Sequence, residues 1–242
     1  MTLAELYPDV AARGGLAAAL ESTAAEHGLS LGEVRASATE PLRFASVASA
    51  TPVREALSVH ARPDERGWQV SGWHRQRIEL IRGGVARDLG EVVRLARAWR
   101  EGAAAREIRR VAPFAELHWL ADAVEEGPAE TVAAQWEWVL QQARDADWPE
   151  HLAMVEAAHA EPRLRALMAY MTDRSLRFGT EVGWGHSSDV ACLEAPQGAG
   201  AYRVKPSYQG AVFAEVATPG EAVRAAVEHL PDGVGAAAMS VG

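Results

Sequence analysis

The sequence predicts an α+β fold in which two small antiparallel β-sheet units, about four strands each, flank a helical middle segment. Three observations point there. Apolar residues alternate with polar ones between residues 44 and 81. They recur at helical spacing between 88 and 171, and alternate again after 175. Runs of strands followed by runs of helices mark α+β rather than doubly wound α/β folds. The boundaries that follow are 1–102 for an N-terminal helix, four strands and a closing helix, 103–171 for the helical middle, and 172–242 for four further strands and a last helix, with one compact domain as the alternative.

In chain order, Leu16, Ala19, Leu20 and Thr23 give residues 13–27 one apolar helical face, and Gly28 stops that helix. Residues 44–50 and 54–60 read as strands, and the turn at 62–67 leads into a third. There Trp68, Val70 and Gly72 alternate with Gln69, Ser71 and Trp73, so the two indoles face opposite sides. Residues 77–81 form a fourth strand, closed by Gly83-Gly84. Asp88 caps the next helix, with Glu91 three residues on. Helices follow at 104–111, 115–125, 128–143, 151–159 and 164–171. Strands are expected at 176–180, 190–194, 202–205 and 212–217. Thr218-Pro219-Gly220-Glu221 carries a capping residue, a first-turn proline and a glutamate three on, the signals of a helix start. The last ten residues read as a tail or a weak strand.

Composition narrows function by exclusion. The formal charge of −9 opposes a phosphate backbone or an anionic bilayer, so neither nucleic acid nor membrane is an expected partner. Lys205 is the only lysine and Cys192 the only cysteine, so no disulfide or thiolate zinc site forms within one chain. The high alanine and arginine content is that of a GC-rich genome. The first residues lack a basic segment followed by an apolar run, and no 18-residue apolar stretch occurs, so the expected location is the cytoplasm.

The common nucleotide, metalloprotease and nucleophile-elbow motifs are absent, and no cofactor or metal is expected. Candidate chemistry rests on smaller features. His118 and Asp122 stand four apart on the expected helix 115–125, a spacing that lets a carboxylate hold an imidazole tautomer. The same pair on a surface is an ordinary ion pair worth a few tenths of a kcal/mol. His151 and His159 share a helix face about 12 Å apart, too far for one metal, and read as polar surface. Arg106, Arg109 and Arg110 form a basic face whose plain reading is internal charge balance. The segment 183–189 links two strands and gathers Trp184, His186, two serines and Asp189. Such loops carry function more often than the elements they join, and the plain reading of this one is a solvated hairpin loop. Trp136 fits a buried helix stripe, whereas Trp68, Trp73 and Trp184 are candidates to line a groove.

Several segments together point to one family. They include Leu6-Tyr7-Pro8-Asp9-Val10, Trp68-Gln69-Val70-Ser71-Gly72-Trp73, Asp88-Leu89-Gly90-Glu91-Val92-Val93 and Ala98-Trp99-Arg100. Ala112-Pro113-Phe114, Leu120-Ala121-Asp122-Ala123, Gly127-Pro128-Ala129-Glu130, Gln135-Trp136, Leu176-Arg177-Phe178 and Tyr202-Arg203-Val204 complete the set. Through these the chain resembles the DUF6193 family of actinobacterial natural-product biosynthesis proteins, from about residue 6 to 232. One departure stands out. Where the family tends to carry a Thr-Ser-His-like segment before the Leu-Arg-Phe strand, this chain has Thr172-Asp173-Arg174-Ser175.

The resemblance implies a tailoring protein of secondary metabolism. One form is a cofactor-independent acid/base enzyme that cyclises or eliminates on a peptide-derived intermediate. The alternative is a non-catalytic peptide-binding or partner protein of the biosynthetic complex, or a product-binding self-resistance protein. Imidazoles titrate near neutral pH, so His186 and His118, with Asp122, are the catalytic candidates. Trp68, Trp73, Trp184 and Arg177 are the substrate-binding candidates. The expected partners are a small-molecule or peptide intermediate and other pathway enzymes.

Overall fold

In the computed structural model, which describes residues 2–75, 77–183 and 189–239, the chain folds as two units, Met1–Glu125 and Glu126–Gly242. The first unit holds α1 (Leu3–Leu6), α2 (Pro8–Ala12), α3 (Leu16–Glu26), β1 (Val34–Ala36), β2 (Phe44–Val47), β3 (Leu57–Ala61), β4 (Trp68–His74) and β5 (Ile78–Gly83). It continues with β6 (Val85–Ala86), α4 (Leu89–Arg100), α5 (Ala105–Val111), β7 (Glu116–Leu117) and α6 (Ala121–Glu126). The second holds α7 (Pro128–Asp145), α8 (Pro149–Ala160), α9 (Pro162–Arg165), β8 (Met168–Thr172), β9 (Ser175–Gly179), β10 (Glu181–Val182) and β11 (Ala191–Glu194). It ends with β12 (Tyr202–Lys205), β13 (Ala214–Val216), α10 (Pro219–His229) and β14 (Ala238–Met239). The fold is α+β, as expected. The sheets are larger than the four strands read from the sequence, and the helical middle is divided between the units.

The first unit's sheet is antiparallel, in the order β1-β2-β3-β4-β5-β7, with β6 also paired to β4. Alternation along β4 buries Trp68, Val70, Gly72 and His74 and leaves Gln69 and Trp73 exposed. Gly72 is required by packing: a Cβ there would stand 2.8 Å from the Trp99 ring of α4. That indole also donates to the Glu55 carbonyl at 2.9 Å, which fixes α4 over the sheet. Tyr7 is fully buried, and its hydroxyl donates to the Gly67 carbonyl at 2.7 Å, closing the 62–67 turn from the N-terminal side.

Two readings of the helical middle are corrected. Residues 116–117 pair with β5 instead of opening a helix, so α6 starts only at Ala121. Residues 168–172, read as the end of a helix, form β8, paired along its whole length to β9. A short apolar run does not by itself distinguish a buried strand from a buried helix turn.

The second unit's sheet is also antiparallel, in the order β13-β12-β11-β9-β8, and a parallel pair joins β10 to β14. Cross-strand register sorts its residues into two faces. Met171, Leu176, Leu193 and Val204 form one apolar row. Phe178, on the same face, meets the α7 indole of Trp136 at 6.0 Å between centroids. The opposite face is polar. Tyr170, Arg177, Cys192 and Lys205 stand in one row, and Thr172, Ser175, Glu194, Arg203 and Glu215 in the next.

His151 of α8 is not surface, as its spacing suggested, but 1% exposed and stacked on Trp148 at 4.8 Å. Neither ring nitrogen has a hydrogen-bond partner among the described residues. Burial lowers its pKa, so the folded ring is neutral at pH 7. The unfolded ring titrates near its ordinary value of about 6.5, so stability present above that pH is lost as pH falls toward the folded pKa. His151→Phe keeps the stack and removes the unpaired nitrogens. It should raise stability at pH 7 by about 1 kcal/mol. Urea midpoints measured from pH 7 down to 5 should fall less steeply for the variant than for the parent, and parallel curves would contradict this account.

Candidate functional site

The polar face of the second unit begins at the β8–β9 hairpin, where Asp173 adopts φ 49° to turn the chain in two residues. Aspartate tolerates that left-handed backbone better than most side chains. The hairpin sets Arg177 beside Asp189, a carboxylate whose side chain is 5% exposed. Arg177 Nη2 lies 2.8 Å from Asp189 Oδ1, Nε donates to both carboxylate oxygens at 3.0 and 3.1 Å, and Nη1 donates to Thr172 Oγ1 at 3.2 Å. Asp189 also accepts the Tyr208 backbone N–H at 2.7 Å. The Tyr208 ring lies 5.2 Å from the Arg177 guanidinium, and its hydroxyl donates to Asp173 Oδ2 at 2.7 Å. That bond to a carboxylate raises the phenol's pKa.

In the middle of the sheet, Glu194 accepts from Lys205 Nζ at 2.5 Å and from Ser175 Oγ at 3.2 Å. Cys192, in the row with Arg177 and Lys205, is fully buried, and burial pushes its thiol up to about 11. It is therefore no thiolate at neutral pH. The Tyr170 hydroxyl donates to the Gly183 carbonyl at 2.6 Å, and burial raises its pKa as well.

At the hairpin end of this face lies a cavity of about 440 Å³, lined by Asp173, Arg174, Ser175, Glu194, Arg203 and Tyr208 and closed by residues between 195 and 201. Two carboxylates and two guanidiniums thus meet around one space. Arg203 is paired to Glu215 at 3.1 Å, and both side chains are more than half exposed. Among the described residues the lining contains no imidazole and no thiolate. Among the described residues no group of three or more His, Cys, Asp or Glu is arranged to hold a metal.

The residues expected from the sequence fall in different places. Arg177 is in the cluster but does not line the cavity; it braces Asp189 and Tyr208. Trp184 and His186 lie outside the described residues, although Gly183 and Asp189, which flank that segment, are both bonded to side chains of the polar face. Trp68 is 1% exposed and packs in the first unit's core against Tyr7. Trp73 points to the other side of its strand, 37% exposed. His118 stands in the turn before α6, where its Nδ1 accepts the Leu120 N–H at 3.1 Å, and burial then Arg82 lower its pKa. Both oxygens of Asp122 are held by Arg109, at 2.9 and 2.7 Å, which keeps that carboxyl below its usual range. The expected His118–Asp122 pair is not formed, because the helix on which they would share a face begins after His118. Two of the three arginines of α5 balance acids, Arg109 with Asp122 and Arg110 with Glu107.

Sequence reasoning missed Asp173, Arg174, Glu194, Arg203 and Tyr208. Alternation along 191–194 and 202–205 gave each strand its two faces. Only the register between strands shows that Glu194 and Arg203 share one.

Fold and site together define an α+β chain with a charge-paired sheet face ending in a polar cavity. Residues 130–241 match the family model of DUF6193, a family of unknown function. The chain is therefore similar to that family over α8–β14 and most of α7, which contain the whole polar face, whereas the resemblance read over residues 6–129 lies outside the match. No curated protein and no solved structure matches the chain. Among the described residues no helix is long and apolar enough to cross a membrane.

Proposed function

We propose that the Glu126–Gly242 unit is a recognition module for a small zwitterionic ligand, of the kind that the end of a peptide-derived metabolic intermediate presents. The observation that carries this reading is the bipolar lining of the cavity, in which Asp173 and Glu194 stand beside Arg174 and Arg203. Guanidiniums bind carboxylates through paired, charge-assisted hydrogen bonds, and carboxylates accept an ammonium in the same way. The volume is within the range of small-molecule sites, about 300–1,000 Å³. The position where this chain departs from the family's Thr-Ser-His-like segment, Asp173-Arg174, is on the cavity wall. That supports a ligand choice particular to this member.

Binding is favoured over turnover because the described lining holds no imidazole, the side chain suited to proton transfer near neutral pH. A catalytic role in a cyclisation or elimination would fall to His186. The cytoplasmic, secondary-metabolic setting is part of the same proposal and rests on the family resemblance.

The test is an amide NMR titration of the full chain with alanyl-alanine, its N-acetyl form and its C-terminal amide at millimolar concentration. The free dipeptide should shift amides around Arg174, Glu194, Arg203 and Tyr208. Each blocked form should bind about tenfold more weakly, a difference of about 1.4 kcal/mol. Arg174→Ala with Arg203→Gln should abolish the shifts. Equal binding of free and blocked forms, or shifts confined to other surfaces, would overturn the reading.

A further inference from the structure

The Met1–Glu125 unit has a polar sheet face of its own, and its centre is His60. In register, His60 of β3 stands between Phe44 of β2 and Gln69 of β4. The imidazole meets the Phe44 ring edge-on at 4.8 Å between centroids. No side-chain hydrogen bond joins His60 or Gln69 to another described residue. Beside them is a cavity of about 420 Å³, walled by Arg43, Arg62 and Asp64 as well. A second hollow of about 260 Å³ shares His60 and extends over Phe44, Ser46 and Ser58.

We propose that this face binds a small organic anion, its carboxylate or phosphate seated among Arg43, His60 and Gln69 and its body lying along Ser46 and Ser58. A guanidinium, an imidazole and a carboxamide converge there as donors. The carboxylate in the wall, Asp64, is already bonded to Arg62 at 3.0 Å, and Arg62 is held by Glu65 as well. Arg43 is far less committed. Its contact with Glu40 is a single 3.2 Å pair between side chains 38% and 49% exposed. Such a pair is worth less than about 1 kcal/mol, so the guanidinium exchanges partners at little cost. It also lies 4.8 Å over the Phe44 ring, the ring that His60 meets edge-on.

The charged groups around His60 are Arg43, Arg62 and Asp64 on one side and Arg35, paired to Glu33, on the other. Burial and then Arg43 lower the imidazole's pKa. A bound anion reverses the balance, because an opposite charge nearby favours the protonated ring. Binding therefore strengthens as pH falls through the His60 titration.

Proton NMR of the full chain tests this through the histidine titration curves. His60 would be followed in chloride, acetate and inorganic phosphate at matched ionic strength. Its midpoint should rise by about half a pH unit in the anion the site prefers, a roughly threefold tighter hold on the proton. A rise in acetate assigns the site to carboxylates, and a rise in phosphate alone assigns it to phosphate esters. Arg43→Gln and Gln69→Ala should each remove the rise while leaving the His159 curve unchanged. The proposal fails if His60 titrates alike in all three salts, if all histidines move together, or if the rise survives Arg43→Gln. Because this site and the dipeptide cavity are on different units, each reading stands or falls alone.

Discussion

Arg54→Ala should destabilise the Met1–Glu125 unit by about 3 kcal/mol, the lower end of the cost of breaking a buried ion pair. Arg54 is 6% exposed. Its Nη2 donates to Glu125 Oε1 at 2.9 Å and to the Ala103 carbonyl at 2.8 Å, and its Nη1 to the Trp99 carbonyl at 3.4 Å. The guanidinium also lies 4.6 Å over the Trp99 ring. One side chain therefore joins the end of α4, the α4–α5 connection and α6. Glu125 extends the link, because both its oxygens accept the Ala105 N–H that begins α5. Burial pulls the arginine's pKa down and Glu125 opposes it, so the charge is retained at the cost of desolvation. The alanine variant takes one donor each from two carbonyls and a carboxylate, of which the Trp99 carbonyl keeps the Gly102 N–H and Glu125 keeps the Ala105 N–H. Glu125 is 27% exposed, and water recovers part of that loss. Urea unfolding followed by tryptophan fluorescence reads the effect through Trp99. Arg54→Met combined with Glu125→Leu should lose less than the two single changes added together, since neither partner is then left charged and alone. A single-variant loss under about 1 kcal/mol would show that the pair is no more than a surface contact.

How far the sequence carries depends on the distance over which each feature is determined. Local features were legible. The capping box of α10 forms as Thr218 and Glu221 require, with the Glu221 N–H donating to Thr218 Oγ1 at 3.2 Å and the Thr218 N–H to Glu221 Oε2 at 3.0 Å. Asp88 caps α4 by accepting the Gly90 N–H at 3.0 Å. The alternation that separates Trp68 from Trp73 is set within one strand. Features decided by a distant partner were not legible. Residues 116–117 are a strand only because β5 is beside them, and without that pairing their apolar spacing reads as helix. The same displacement separated His118 from Asp122. In the cavity, Asp173, Glu194, Arg203 and Tyr208 come from four separate segments, so strand register and not spacing brings them together. Arg177 was named from the sequence only as a substrate-binding candidate, within the segment Leu176-Arg177-Phe178. Its action through Asp189 and Tyr208 needed coordinates.

The second large effect follows from that role. Arg177→Ala should cost about 2–3 kcal/mol, because Asp189 stays buried with the Tyr208 N–H as its remaining hydrogen-bond donor among the described residues. The loss should be below that of Arg54→Ala, since the Arg177 side chain is 30% exposed and solvent partly replaces it at the carboxylate. The same variant separates bracing from ligand contact. If Arg177 acts through Tyr208, its removal displaces the phenol on the cavity wall. Free alanyl-alanine and its C-terminal amide should then weaken by the same factor. If the guanidinium held the ligand carboxylate directly, the free dipeptide would lose affinity and the amide would not. Calorimetric titration of both ligands into parent and variant measures that coupling. Arg177→Lys sharpens the comparison, because a lysine keeps the charge but not the fork that grips Asp189 through Nε and Nη2. A variant that binds as weakly as alanine with both ligands points to geometry, not charge, as what Arg177 supplies. Unequal losses would transfer Arg177 from the frame of the cavity to its ligand.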